Sequence, residues 1–384
     1  MSLSLDRRSF LAGAAALLVA PRVVFAQAAT ERRFVFVLQR GAADGLNTVI
    51  PYADPAYAAL RGPLAIDAAG AIRLDGSFAL HPALVQFGAL HAAGEALFVH
   101  AVASPYRDRS HFDGQNVLES GGTAPYQLRD GWLNRLVALL PHRGEQAIAL
   151  APTVPLALRG AAEVTSYAPS ALPAAGDDLM LRVQQLYAAD AQLHALWSAA
   201  MQTRGMAGAD AAEGKRQDPG ALGRMAARFL AEPAGPRIAM IETNGWDTHS
   251  NQNARLNAQL RGLDAVVGAL KQGLGATWQQ TVVLVATEFG RTAAANGTGG
   301  TDHGTGSAAL LAGGALQGGR VIADWPGLAS AALYEGRDLR PTLGLDALIA
   351  TVAAETFGLG HEQVARTLFP QMAPGKPMPR LLRA

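Results

Sequence analysis

Short, wholly apolar runs alternate along this chain with longer stretches whose apolar residues recur every three or four positions. Residues 34–38 (Phe-Val-Phe-Val-Leu) predict a buried strand, as do residues 96–102, 237–241, 281–286 and 307–311. Residues 178–201, 251–272 and 343–357 carry the helical spacing. Strands alternating with helices predict an α/β fold: a mostly parallel sheet covered by helices on both faces. Residues 161–176 and 204–220, rich in Ala, Gly, Pro and charge, predict loops flanking a helical insertion around 161–235.

The first 26 residues stand apart. Asp6-Arg7-Arg8-Ser9-Phe10-Leu11 leads into an apolar run ending at Ala20, and Val24-Phe25-Ala26 supplies a cleavage box. This is the pattern of a twin-arginine signal peptide, too short to span a bilayer. It predicts passage through the twin-arginine export machinery to the periplasm or exterior, and a single mature domain over residues 27–384. Export in the folded state suits a metal loaded beforehand.

Charge and composition narrow the possible partners. Removing Arg7, Arg8, Arg22 and Asp6 with the signal leaves 29 basic residues against 30 acidic ones. That balance offers no footprint for nucleic acid or anionic lipid, and no transmembrane segment is expected in the mature chain. With no cysteine and 49% hydrophobic residues over 384, stability must come from a large core.

The candidate chemistry lies where the predicted strands end. After the first comes Arg40-Gly41-Ala42-Ala43-Asp44-Gly45; after the second, Ser104-Pro105 and then Ser110-His111-Phe112-Asp113. Asn244-Gly245-Trp246-Asp247-Thr248-His249 and Glu288-Phe289-Gly290-Arg291 follow the third and fourth, and Thr301-Asp302-His303-Gly304 precedes the fifth. Open parallel sheets place their sites beyond the carboxyl ends of their strands. Carboxylates beside imidazoles there suit a divalent metal site or an acid/base pair. Ordinary roles fit each piece alone: Asp44 as a turn former, Asp247 to His249 as a helix cap, Glu288 with Arg291 as an ion pair. His81, His91, His100, His142, His194 and His361 have no comparable setting.

Five stretches resemble a known family: 38–52, 104–115, 130–135, 287–292 and 299–308. They are similar to the bacterial domain of unknown function 1501, grouped with the alkaline-phosphatase-like superfamily of phosphatases, sulfatases and a phosphoglycerate mutase. The resemblance implies an alkaline-phosphatase-like core holding one or two divalent cations (Zn, Mn, Mg or Ca). It also implies hydrolysis of a small anionic phosphate or sulfate ester. Carried over by position, Asp44, Asp247, His249, Glu288 and His303 hold metal, and Asp302, paired with His303 in sequence, is a further metal candidate. Ser110 or Ser104 is the nucleophile, His111 or Asp113 assists proton transfer, and Arg107, Arg109 or Arg291 holds anionic oxygens.

Departures from the superfamily pattern point another way. Phe289 stands where an Asp-His pair would place a histidine, and Asp247 and His249 are closely spaced; both imply that one metal site is missing. If Ser110-His111 matches the Gly-His of the mutase branch, the nucleophile position falls on Arg107. A second reading is therefore a non-catalytic periplasmic binding or assembly protein that keeps the scaffold.

Overall fold

The computed structural model describes residues 31–141, 146–168, 177–188, 190–207, 218–373 and 378–383. The signal peptide expected over 1–26 lies outside them, as do His142 and most of the two predicted flanking loops.

Among the described residues, twelve strands run in chain order as β1 (Arg33–Gln39), β2 (Val49–Ile50), β3 (Ile72–Arg73), β4 (Ala79–Leu80), β5 (Ala96–Ala103) and β6 (Ala147–Leu150). They continue as β7 (Thr165–Ser166), β8 (Ile238–Thr243), β9 (Thr281–Thr287), β10 (Ser307–Ala312), β11 (Arg320–Ile322) and β12 (Leu343–Gly344). Nine build one sheet in the order β11-β5-β10-β9-β1-β8-β6-β7, with β12 also on β5, and β2-β4-β3 form a small second sheet. In the large sheet β10 alone is antiparallel to its neighbours, β5 and β9; the other pairings are parallel. The expected mostly parallel α/β sheet is thus the observed one.

Alternation along β1 shows why the sheet is buried on both faces. Phe34, Phe36 and Leu38 enter one core with Trp132, Leu136, Leu348 and Phe357. Val35 and Val37 enter the other with Phe87, Phe229, Leu260 and Val267. The helices Trp132–Leu139 and Leu345–Phe357 cover the first face, and Val85–Ala92, Ala221–Ala231 and Gln252–Leu274 the second. At roughly 1.5–3 kcal/mol for each large apolar side chain buried, two such layers account for a fold without disulfides.

Two predicted helices differ in detail. Residues 178–201 form not one helix but two, Asp177–Tyr187 and Ala191–Ala207, because the Asp190 carboxylate accepts the N–H groups of Gln192 and Leu193 at 2.9 Å and starts a second helix. Residues 343–344 pair with β5 before the helix Leu345–Phe357 begins. No helix among the described residues is long and apolar enough to cross a membrane.

Candidate metal centre

Sheet register determines which loops meet. Gln39 of β1 pairs with Thr243 of β8 and with Thr287 of β9, so the chain leaves all three strands at one level. The reversed strand β10 begins there too, its Ser307 opposite Val102 near the end of β5. The loop over residues 299–306 therefore arrives at the rim that the others leave. An isolated bridge between Arg291 and His303 joins two of these loops. Gly300 and Gly304 permit the join, since a Cβ at either would lie 2.3–2.4 Å from backbone atoms of His249 or Arg291. These glycines serve close backbone approach, which the sequence alone does not separate from turn chemistry.

At this rim His111, Asp247 and His303 each offer a ligand atom, all within 4.8 Å of one another. His303 Nε2 lies 3.2 Å and His249 Nε2 2.9 Å from Asp247 Oδ1, and the two Nε2 atoms are 3.0 Å apart. His111 Nε2 is 3.5 Å from Asp247 Oδ2 and, though buried, has no hydrogen-bond partner.

The outer nitrogens decide the tautomers. His111 Nδ1 faces Glu288 Oε1 at 2.9 Å, His249 Nδ1 faces Asp302 Oδ1 at 3.0 Å, and His303 Nδ1 faces the Arg109 carbonyl at 2.9 Å. A carboxylate or a carbonyl only accepts, so each Nδ1 carries the hydrogen and donates it. Every neutral imidazole then turns a bare Nε2 lone pair toward Asp247. Lone pairs and a carboxylate this close require either a cation or an Nε2 proton between them. Each histidine is also held from behind by an acceptor, the arrangement that orients metal-binding imidazoles. The residues present thus fit a divalent metal ion.

Surrounding charge acts in opposite directions on two of the imidazoles, favouring a proton on His111 and the neutral ring of His303. Hydrogen bonding to Glu288, against the opposing effect of burial, raises the pKa of His111. Burial lowers that of His303, with the neighbouring His111 adding to it. Burial works to raise the Asp247 pKa, but the Arg291 hydrogen bond and charge outweigh it and keep Asp247 ionised. Arg291 Nη1 donates to Asp247 Oδ1 at 2.7 Å. The centre opens on the Asp247 and His249 side, whose side chains are 41% and 44% exposed.

Other expected site residues take different places. Asp44 is remote from any ligand role in this cluster: it caps the short helix Gly45–Thr48 and pairs with Arg61 at 2.5 and 3.0 Å, both residues fully buried. Glu288 stands behind His111; its oxygens accept from Gly41 N, His111, Gln115 and Thr287. Asp302 likewise stands behind His249. Asp113 touches Tyr106 and Tyr126. Arg107 donates to the carbonyls of Ser104 and Tyr106, Arg109 pairs with Asp338 and Glu335, and Arg291 is buried on Thr301 and Asp247. Ser104 is buried, its hydroxyl on the Glu288 carbonyl. Ser110 precedes the helix His111–Ser120, half-buried and without a side-chain cap bond to it.

Ordinary explanations fare unevenly. Asp44 does form a turn-type cap, but Asn251 with a left-handed backbone, not Asp247 to His249, precedes the long helix. Glu288 and Arg291 pair with His111 and Asp247 respectively instead of with each other. Phe289, taken from sequence as a ligand lost, is buried under the centre: its ring stacks on His111 at 5.2 Å and lies 5.4 Å from His303. Gln115, one helical turn beyond His111 on the same face, supports Glu288; the i, i+4 spacing was the available signal.

A family model described as "Protein of unknown function (DUF1501)" matches residues 86–369. No curated protein matches the sequence. Among solved structures, the chain is similar to the C-terminal periplasmic domain of EcEptC from Escherichia coli in complex with Zn: 12% identity, 93% and 94% of the two chains covered, TM-score 0.43. It is also similar to BT1596, a 2-O GAG sulfatase (11%, 89% and 75%, 0.42), and to a phosphonate monoester hydrolase of Agrobacterium radiobacter (12%, 86% and 74%, 0.38). At these scores the likeness assigns no residue of this chain a role.

Proposed function

We propose, for a chain that belongs to the DUF1501 family, a metal-dependent hydrolysis of phosphate or sulfate esters outside the cytoplasm. The observation that carries this reading is the inward convergence of three Nε2 atoms on the Asp247 carboxylate. His111, Asp247 and His303 hold one divalent cation, with His249 as a fourth ligand on the open side. Three imidazoles with one carboxylate favour Zn or Mn over the oxygen-preferring Mg and Ca. One ion suffices, because Asp44 and Glu288 are committed to Arg61 and His111.

A cation there supplies Lewis acidity to an ester oxygen and acidifies an attacking hydroxyl. Ser110, adjoining His111 at a helix start, presents the hydroxyl best placed in sequence for attack. Glu288 fixes His111, and Arg291 holds Asp247 in its ionised form. Arg107 donates to the carbonyls of its own loop and Arg291 to Asp247, so Arg109 and these two reach an anion only by sharing donors already engaged. The paired arginines and cleavage box of residues 1–26 support export by the twin-arginine route.

Elemental analysis of protein recovered from the periplasm tests the centre without a guess at substrate. About one equivalent of metal is expected, together with a chelator-dependent drop in melting temperature that His303→Ala abolishes. If no metal co-purifies and chelator leaves the melting temperature unchanged, the centre is not a metal site. Aryl phosphate and aryl sulfate turnover in wild type and Ser110→Ala then tests catalysis. The burial of Ser104 and the engagement of half-buried Arg107 by carbonyls of its own loop favour the second reading, a binding or assembly protein without turnover. Metal binding with no hydrolysis under any divalent ion would select it.

A further inference from the structure

We infer that Gln252 is a positioning residue for the metal centre, coupling the buried Asp44–Arg61 ion pair to the guanidinium that orients Asp247. This inference rests on the metal-centre reading and gives buried side chains outside the ligand set a part in it. Gln252 is the first residue of the long helix, fully buried, with its backbone N–H on the Gly299 carbonyl at 3.0 Å.

Its amide can be oriented in only one way. Nε2 donates to Asp44 Oδ2 at 2.5 Å, and Oε1 accepts the hydroxyls of Thr301 at 2.6 Å and Thr248 at 3.0 Å. A flipped amide would set its oxygen against the Asp44 carboxylate. With its hydrogen given to Gln252, the Thr301 hydroxyl turns a lone pair to Arg291 Nε, 3.1 Å away. The Thr301 carbonyl accepts from Arg291 Nη2 as well, which leaves Nη1 aimed at Asp247 Oδ1. Arg61, Gln252 and Thr301 are all 0% exposed and Asp44 and Arg291 1%, so bulk solvent does not reach this path. In that setting each bond fixes the next donor's direction. Arg61 and Asp44 thus anchor a relay that ends on a carboxylate facing three imidazole lone pairs.

Thr301→Val tests the relay most cleanly, because it removes one hydroxyl at constant shape and alters no ligand; Gln252→Leu is the companion. Both are compared with wild type, Thr301→Ser and His303→Ala by Co(II) and Zn(II) titration at fixed pH, with the metal-free melting temperature as a separate readout. Thr301→Val and Gln252→Leu are expected to weaken cation binding about 10- to 100-fold, the range for outer-sphere partners of metal ligands. Thr301→Ser, which retains the hydroxyl, is expected to bind as wild type does. A lowered metal-free melting temperature with unchanged affinity in Thr301→Val would make the network purely structural and overturn the inference. Absence of cation binding in the wild type itself would instead remove the metal-centre reading beneath it.

Discussion

At the residue scale the centre depends on what lies behind each ligand. Glu288 has the look of a ligand in sequence, yet at 0% exposure it serves as the acceptor that forces His111 to present Nε2. Glu288→Gln would offer His111 either an oxygen or an amide N–H. The expected result is cation affinity lowered by about tenfold or more with the fold retained, read by titration against circular dichroism; unchanged affinity would free His111 from any need of that partner. Phe289 contributes through its ring faces. Phe289→Ala should cost about 3–5 kcal/mol in denaturant-measured stability, the usual range for a buried aromatic, and loosen both histidines that rest on it. Phe289→Leu should recover most of the stability.

At the scale of elements, the loops are as constrained as the strands they join. Gly300→Ala forces a methyl within 2.3 Å of the His249 backbone, so it should lower both the melting temperature and cation affinity. Retention of wild-type affinity would show that the loops at 248–249 and 299–301 can separate without moving a ligand. The strands were legible in sequence because 34–38, 96–102 and 281–286 are unbroken apolar runs, and sheets covered on both faces demand those. The clustering of His and Asp at strand ends was legible for the same reason. Division of labour among those residues was not. Asp247 and Glu288 both stand near histidines, and only the β1–β8 and β1–β9 register puts one in front of the imidazoles and the other behind. The antiparallel sense of β10 leaves no trace in its composition, nor does the Asp44–Arg61 pair, whose members are brought together by burial.

At the scale of the whole molecule, stability should depend on acid through histidines remote from the centre. His100 is fully buried; its Nε2 donates to the Val49 carbonyl at 2.7 Å and its Nδ1 accepts the Ala101 N–H at 2.8 Å, so the neutral ring is satisfied and burial disfavours a second proton. Burial holds its pKa down at about 4, and that of His81, also buried, at about 4. The unfolded chain binds these protons near pH 6.5, before the folded one does. Their contribution is therefore complete above about 6.5 and is lost as pH falls toward 4, by about 3 kcal/mol for His100. Urea unfolding between pH 7 and 4.5 should show falling stability with up to about two protons taken up on unfolding. A flat profile over that window would mean that these rings titrate normally.

The reversal of β10 has a consequence for how such a molecule can change. Because the chain departs the rim after Thr287 and re-enters the sheet at the same rim with Ser307, the intervening stretch carrying Glu288, Arg291, Asp302 and His303 is a cassette with both ends fixed on adjacent strands. A change within that stretch leaves the strand order untouched, so its effect falls on the centre before it reaches the sheet.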